Sequence, residues 1–330
     1  MNLKEDINYS IWCDFIERDF LENEFQDIIA NGTIFGATSN PAIFQQAISS
    51  SVAYEQQISM LQANDVKKIY EELAVSDIRR AAELLKPLFD KNANDGFVSL
   101  EIDPTLCDDM MGSIEEGARL HSQIDACNIM IKVPATEAGY GVMEHLTSIG
   151  INVNATLVFS PTQAINCAKA LAAGIKKSAK DTKAVISVFV SRFDRAVDKE
   201  FEVLDLEKSK LGIVNATKCY HEINKFENAN IRTLFASTAV KGEELQQSYY
   251  VDNLIFPNSI NTAPLKTIYD WIESGKKEPS DILSEELCNE YFDKLKYKKI
   301  DIDALYEELL KDGLSAFKVS FQKLLKEIKL

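Results

Sequence analysis

Nowhere in this 330-residue chain do 18 apolar residues run uninterrupted, so no transmembrane helix is expected. The opening stretch, MNLKEDINYS, lacks the basic-then-apolar order of a secretory signal. Cysteine is sparse and scattered. Cys13, Cys107, Cys127, Cys167, Cys219 and Cys288 include no pair closer than 20 positions, which excludes a CxxC motif and fits a reducing compartment. The three histidines are far apart, and Asp103, Glu115 and His121 have no metal-ligand spacing, so no metal is expected. With only 8 prolines and 13 glycines, no segment reads as an interdomain linker. Positive charge is in deficit: 36 Lys and Arg against 51 Asp and Glu give −15, which argues against nucleic-acid or anionic-membrane partners. An acidic substrate stays open, because a few cations in one cleft can outweigh a distant negative surface. The expectation is a soluble, cytoplasmic protein; nothing distinguishes a monomer from a homodimer.

What is present is 46% apolar and 26% charged, the composition of a globular chain. A chain this long buries roughly 75% of its unfolded surface and needs no disulfide or metal staple. Short β-branched runs near 10–14, 35–39, 97–102, 128–133, 152–159, 185–191, 232–237 and 258–262 alternate with stretches of helical period. The unit after Pro134 shows the pattern. Thr136 can cap a helix, Val142, Leu146 and Ile149 share one face, and Gly150 can end it. Such alternation implies right-handed crossovers and a parallel sheet. Eight strands favour a closed α/β barrel, (β/α)8, over an open doubly wound sheet, with residues 1–330 as a single domain. The 49–92 stretch predicts two extra helices. The tail from Asp301 carries Leu305, Leu309, Phe317, Phe321, Leu324 and Ile328 at helical spacing, predicting a helix or two packed on the barrel.

Alternation along the strands separates two faces. Ile129, Ile131 and Val133 oppose Met130 and Lys132; Val98, Leu100 and Ile102 oppose Ser99 and Glu101. Ile151, Val153, Ala155, Leu157 and Phe159 oppose Asn152, Asn154 and Thr156, while Ile186, Val188 and Val190 oppose Ser187 and Phe189. Thr38 with Asn40, and Thr233 with Ser237, extend the polar set. A parallel barrel strand turns its aliphatic face to the helices, so the polar face points inward. Buried polar groups without partners are costly. Either they satisfy one another, or they converge on a site at the C-terminal mouth.

Lys132, inside IMIKVPAT, is the sharpest residue. Desolvation favours the uncharged amine, which condenses with a ketone or aldehyde to a Schiff base. Alone, a strand lysine more often reaches out to the rim. Glu101, Asn154 and Thr156 favour catalysis, because imine formation needs a proton relay to expel water. Asp14 could accept a substrate hydroxyl proton or cap the following helix. Arg192 and Lys241 supply cations at the ends of two adjacent strands, where barrels commonly hold a phosphate.

The segments SIWCDF, FGATSNPAIF, VSLEIDPTL, NIMIKVPAT, GINVNATLVFS, SVFVSRFD, LFASTAVK and SINTAP, in this order, resemble the transaldolase family in its longer bacterial type. The resemblance covers nearly the whole chain. It implies a (β/α)8 barrel enzyme that moves a dihydroxyacetone unit between sugar phosphates. The exchange is sedoheptulose 7-phosphate plus glyceraldehyde 3-phosphate with erythrose 4-phosphate plus fructose 6-phosphate, in the pentose phosphate pathway, without metal or organic cofactor. It further implies Lys132 as the Schiff-base lysine, Asp14 as acid/base, and Glu101 with Thr156 holding the catalytic water. Asn40 and Asn154 would bind the dihydroxyacetone hydroxyls. Ser187 and Arg192 would form the phosphate site, with Phe189 lining the pocket between them. The chain departs from the family where Lys241 stands for a second phosphate-binding arginine; lysine keeps the charge but loses the bidentate fork. The resemblance also implies a rival, a shorter aldolase of the same superfamily that releases free dihydroxyacetone and lacks the 49–92 and C-terminal segments.

Overall fold

Eight parallel strands close on themselves in sequence order: β1 (Ser10–Cys13), β2 (Gly36–Thr38), β3 (Phe97–Glu101), β4 (Ile129–Pro134), β5 (Asn152–Val158), β6 (Ala184–Phe189), β7 (Ile231–Ala236) and β8 (Ser259–Ala263). This computed structural model describes residues 2–328. Helices follow the strands and cover the barrel, the (β/α)8 architecture that the strand count anticipates. The unit after β4 forms as its residues dictate. Thr136 Oγ1 accepts from Gly139 N–H at 3.0 Å, and Gly150, at φ +83°, turns the chain out of the helix Glu137–Ser148. Ile149 differs from expectation. It follows the last helical residue, and its side chain swings out to 48% exposure.

Strand register fixes which side chains enter the barrel. Trp12, Phe97, Met130, Val185, Leu234 and Ile260 come from six strands and form one apolar cluster near its base. Gly36 is required there, since a Cβ would fall 2.6 Å from the Trp12 ring. At the base, buried Arg232 pairs with Asp95 at 3.4 Å and donates to the carbonyls of Asn8 and Ser259 at 2.7 and 3.0 Å. Thr233 was expected inside, but Ser187 lies in register with Leu234 and Ile186 with Thr233. The inward face of β7 is therefore Arg232, Leu234 and Ala236, and Thr233 faces the helices. Ser237 lies beyond the strand in a left-handed conformation, φ +57°, and meets Ser191 Oγ at 3.2 Å. A second correction falls on β5. Its register with β6 shifts between Ala155 and Val158, with Leu157 at φ +56°. The bulge moves Leu157 and Phe159 from the outward set to the aromatic cluster with Phe189 and Phe193.

The 49–92 stretch holds a 3-10 turn, Val52–Tyr54, and two helices, Glu55–Leu61 and Val66–Lys91. Asp77 anchors it, accepting from Tyr54 Oη at 2.8 Å and pairing with Arg18 at 2.9 Å. The tail forms one long helix, Ile302–Ile328, preceded by Glu285–Tyr297. All six of its expected core residues are buried. At one end Tyr306 donates to Asn215 Oδ1 at 2.8 Å; at the other Phe321 packs on Tyr70 and Glu327 accepts from Gln45. The helix thus runs from the β6–β7 side to the β2–β3 side, across the C-terminal mouth. Trp12→Ala should cost about 3–5 kcal/mol by opening the apolar layer beneath the polar one, measured as the shift in urea unfolding midpoint at unchanged slope.

Candidate active site

Register brings the polar groups together. Glu101 is paired with Lys132, and Lys132 with Asn154, so three adjacent strands present an acid, an amine and an amide side by side. Lys132 is only 5% exposed, which removes the rim alternative. Its Nζ donates to the Ser39 carbonyl at 3.0 Å and lies 3.7 Å from Glu101 Oε2. That separation permits an ion pair but no hydrogen bond. Burial raises the Glu101 carboxyl to about 7; the Lys132 charge opposes the rise and Asp14 adds to it. Glu101 Oε2 and Thr156 Oγ1 are both buried without a protein hydrogen-bond partner.

Asp14 follows β1 and caps no helix, because Glu17 accepts from Phe20 N–H at the start of Arg18–Glu22. Its Oδ1 accepts from Thr38 Oγ1 at 2.6 Å, and Thr38 in turn meets Thr262 Oγ1 at 2.8 Å. Burial raises the Asp14 carboxyl, against the pull of Lys132 and the Thr38 hydrogen bond. Two carboxyls and one amine thus share the pocket, and the carboxyls are held toward their protonated forms. Asn40 caps the helix Pro41–Ser50, its Oδ1 accepting from Ala42 and Ile43 N–H at 3.0 and 3.1 Å. The cap orients the amide and leaves its NH2 to donate. Asn154 donates to Ser99 Oγ at 3.0 Å and accepts from Ser187 Oγ at 2.7 Å, so its plane is fixed from both sides.

Arg192 opens the helix Ser191–Val203 after β6, its guanidinium 5.1 Å from the Phe189 ring centroid. Among the described residues it forms no ion pair. Burial and nearby Arg195 push it below the usual arginine range, with Asp312 opposing. Ser187, expected with Arg192 in the phosphate site, donates to Asn154 Oδ1 at 2.7 Å. Lys241 lies exposed in the loop after β7, and no hydrogen bond among the described residues draws it to the mouth. Three contributors escaped the sequence reading. The Ser39 carbonyl is a backbone group, and Thr262 carries no local signal. Phe317, whose ring centroid is 5.8 Å from Lys132 Nζ, read only as one apolar position in the tail.

A family model described as Transaldolase/Fructose-6-phosphate aldolase matches residues 11–328. The chain belongs to that family. A protein named Transaldolase from Helicobacter pylori (strain ATCC 700392 / 26695) is 47% identical over 317 residues, 96% of this chain and 98% of its own. Another Transaldolase, from Campylobacter jejuni subsp. jejuni serotype O:23/36 (strain 81-176), is 44% identical over 335 aligned positions, 97% and 99% of the two chains. No helix among the described residues is long and apolar enough to cross a membrane.

The raised Glu101 carboxyl ties stability to pH. The native state holds this proton more tightly than the unfolded chain, so stability falls as pH rises from about 4.5 toward about 7. Glu101→Gln should flatten that part of the profile, measured by thermal unfolding across pH, while lowering kcat by about 100-fold or more.

Proposed function

We propose that Lys132 carries the transferred fragment as a Schiff base, and that its neighbours divide the remaining steps. The chain is a transaldolase, moving a dihydroxyacetone unit from a ketose phosphate to an aldose phosphate in the pentose phosphate pathway. The observation that carries the residue assignment is the buried Lys132 amine beside Glu101 and Asn154.

Uncharged Lys132 attacks C2 of the ketose phosphate. Glu101, titrating at about 7, exchanges a proton through a water on the Thr156 hydroxyl, so the carbinolamine leaves as water and iminium. The iminium draws electrons from the C3–C4 bond. Asp14 takes the C4 hydroxyl proton, held for it by Thr38, and the aldose phosphate departs. The enamine left on Lys132 stays under the amides of Asn40 and Asn154 until an acceptor aldehyde enters. Ser187 fixes Asn154, and Arg192 on the Phe189 ring takes the phosphate. Lys241, in the loop after β7, supplies the second cation that the resemblance implies. The chemistry asks for no metal or organic cofactor, because the iminium formed on Lys132 is the electron sink. A cytoplasmic setting is supported by the six free cysteines.

Borohydride reduction with fructose 6-phosphate should add a reduced dihydroxyacetone unit to the Lys132 peptide; label on another lysine overturns the assignment. Lys132→Ala should abolish both trapping and transfer. Losing a charged hydrogen bond to phosphate is worth about 1.5–3 kcal/mol, so Arg192→Met should raise KM for fructose 6-phosphate about 10–100-fold, measured by coupled assay.

A further inference from the structure

The enamine on Lys132 has two fates. An acceptor aldehyde can form the new carbon–carbon bond, giving transfer. Alternatively C3 takes a proton, water adds to the resulting iminium, the C–N bond breaks, and free dihydroxyacetone leaves with Lys132 regenerated. The proton that Asp14 took from the C4 hydroxyl balances the one delivered to C3, so the second fate needs no co-reactant. The same lysine and carboxylates serve both fates. What separates them is access of water and proton donors to the enamine.

The structure places one side chain across that access. Phe317 lies at mid-length of the helix Ile302–Ile328, is 7% exposed, and sets its ring 5.8 Å from Lys132 Nζ. The helix is held down at both sides of the mouth, by Tyr306 on Asn215 and by Phe321 on Tyr70. Between these anchors it approaches without slack. A Cβ on Gly313 would lie 2.9 Å from Leu157 Cδ2 and 3.3 Å from Arg192 Nη1. Leu157 reaches this position only because the β5 bulge turns it toward the mouth. An aromatic ring brings no exchangeable proton and excludes water from the volume it fills.

We propose that Phe317 sets the partition of the enamine, shielding it from protonation so that the fragment is passed on rather than released. This rests on Lys132 being the Schiff-base residue. Phe317 is a positioning and shielding residue; it neither donates nor accepts a proton.

The test measures dihydroxyacetone released from fructose 6-phosphate without acceptor, divided by the fraction of enzyme that borohydride traps on Lys132. Normalising this way removes differences in substrate binding. Phe317→Ala should raise the ratio about 10-fold, because the shield is replaced by solvent. Phe317→Leu, which keeps an apolar plug, should stay within about 3-fold of the wild type. Phe317→Gln keeps bulk over the amine but brings an exchangeable proton, and should raise the ratio in the same direction. A purely structural role would lower trapping and release together and leave the ratio unmoved. An unchanged ratio in both Phe317→Ala and Phe317→Gln refutes the proposal, and Phe317→Gln alone decides if Phe317→Ala does not fold. Absence of Lys132 trapping in the wild type would instead sink the Schiff-base assignment itself.

Discussion

A primary amine held 3.7 Å from a buried carboxylate is the constraint from which the rest of the structure follows. Charged groups that are removed from water must be paired or neutralised. Here the pair is close enough to compensate and too far apart to lock. Glu101 keeps Oε2 without a protein donor, and burial lifts its carboxyl into the range where it can hold or yield a proton. The Ser39 carbonyl supplies the second contact, orienting the amine without adding a charge.

Such a site needs a dry base and a rigid frame. Trp12, Phe97, Met130, Val185, Leu234 and Ile260 fill the barrel beneath the polar layer, and the Arg232–Asp95 pair closes the far end. The polar layer is itself braced. Ser99 and Ser187 hold the Asn154 amide through both its NH2 and its Oδ1, and Thr38 holds one oxygen of Asp14. Preorganisation of this kind lets binding energy serve the reaction instead of ordering side chains.

The barrel was legible because its causes are periodic. Eight β-branched runs, each followed by a stretch of helical period, leave few topologies, and the two faces of β3 and β4 read correctly from alternation alone. Alternation failed where register or backbone geometry intervened. Thr233 follows a parity set by the neighbouring strand, and Leu157 is turned by a bulge that no residue type announces. At the mouth, Lys132, Glu101, Asn154 and Asn40 could be grouped from strand faces and Arg192 from its place at a strand end, and the family resemblance added a role for each. Phe317 could not be found that way. Its spacing in the tail specifies a buried helical position, and only tertiary packing decides that what it covers is an amine rather than more aliphatic core.

The helix across the mouth is encoded after all eight strands, so translation makes the barrel before it makes the cover. Domains fold as units as the chain is made, N-terminal ones first. Until that last stretch is made, the segments that carry the amine and both carboxyls have no helix to cover them. On this ordering, competence for transfer arrives last, when residues more than 150 positions beyond Lys132 in the chain settle over it. Premature termination in that last stretch would leave a protein with reactive chemistry and no control over where its fragment goes.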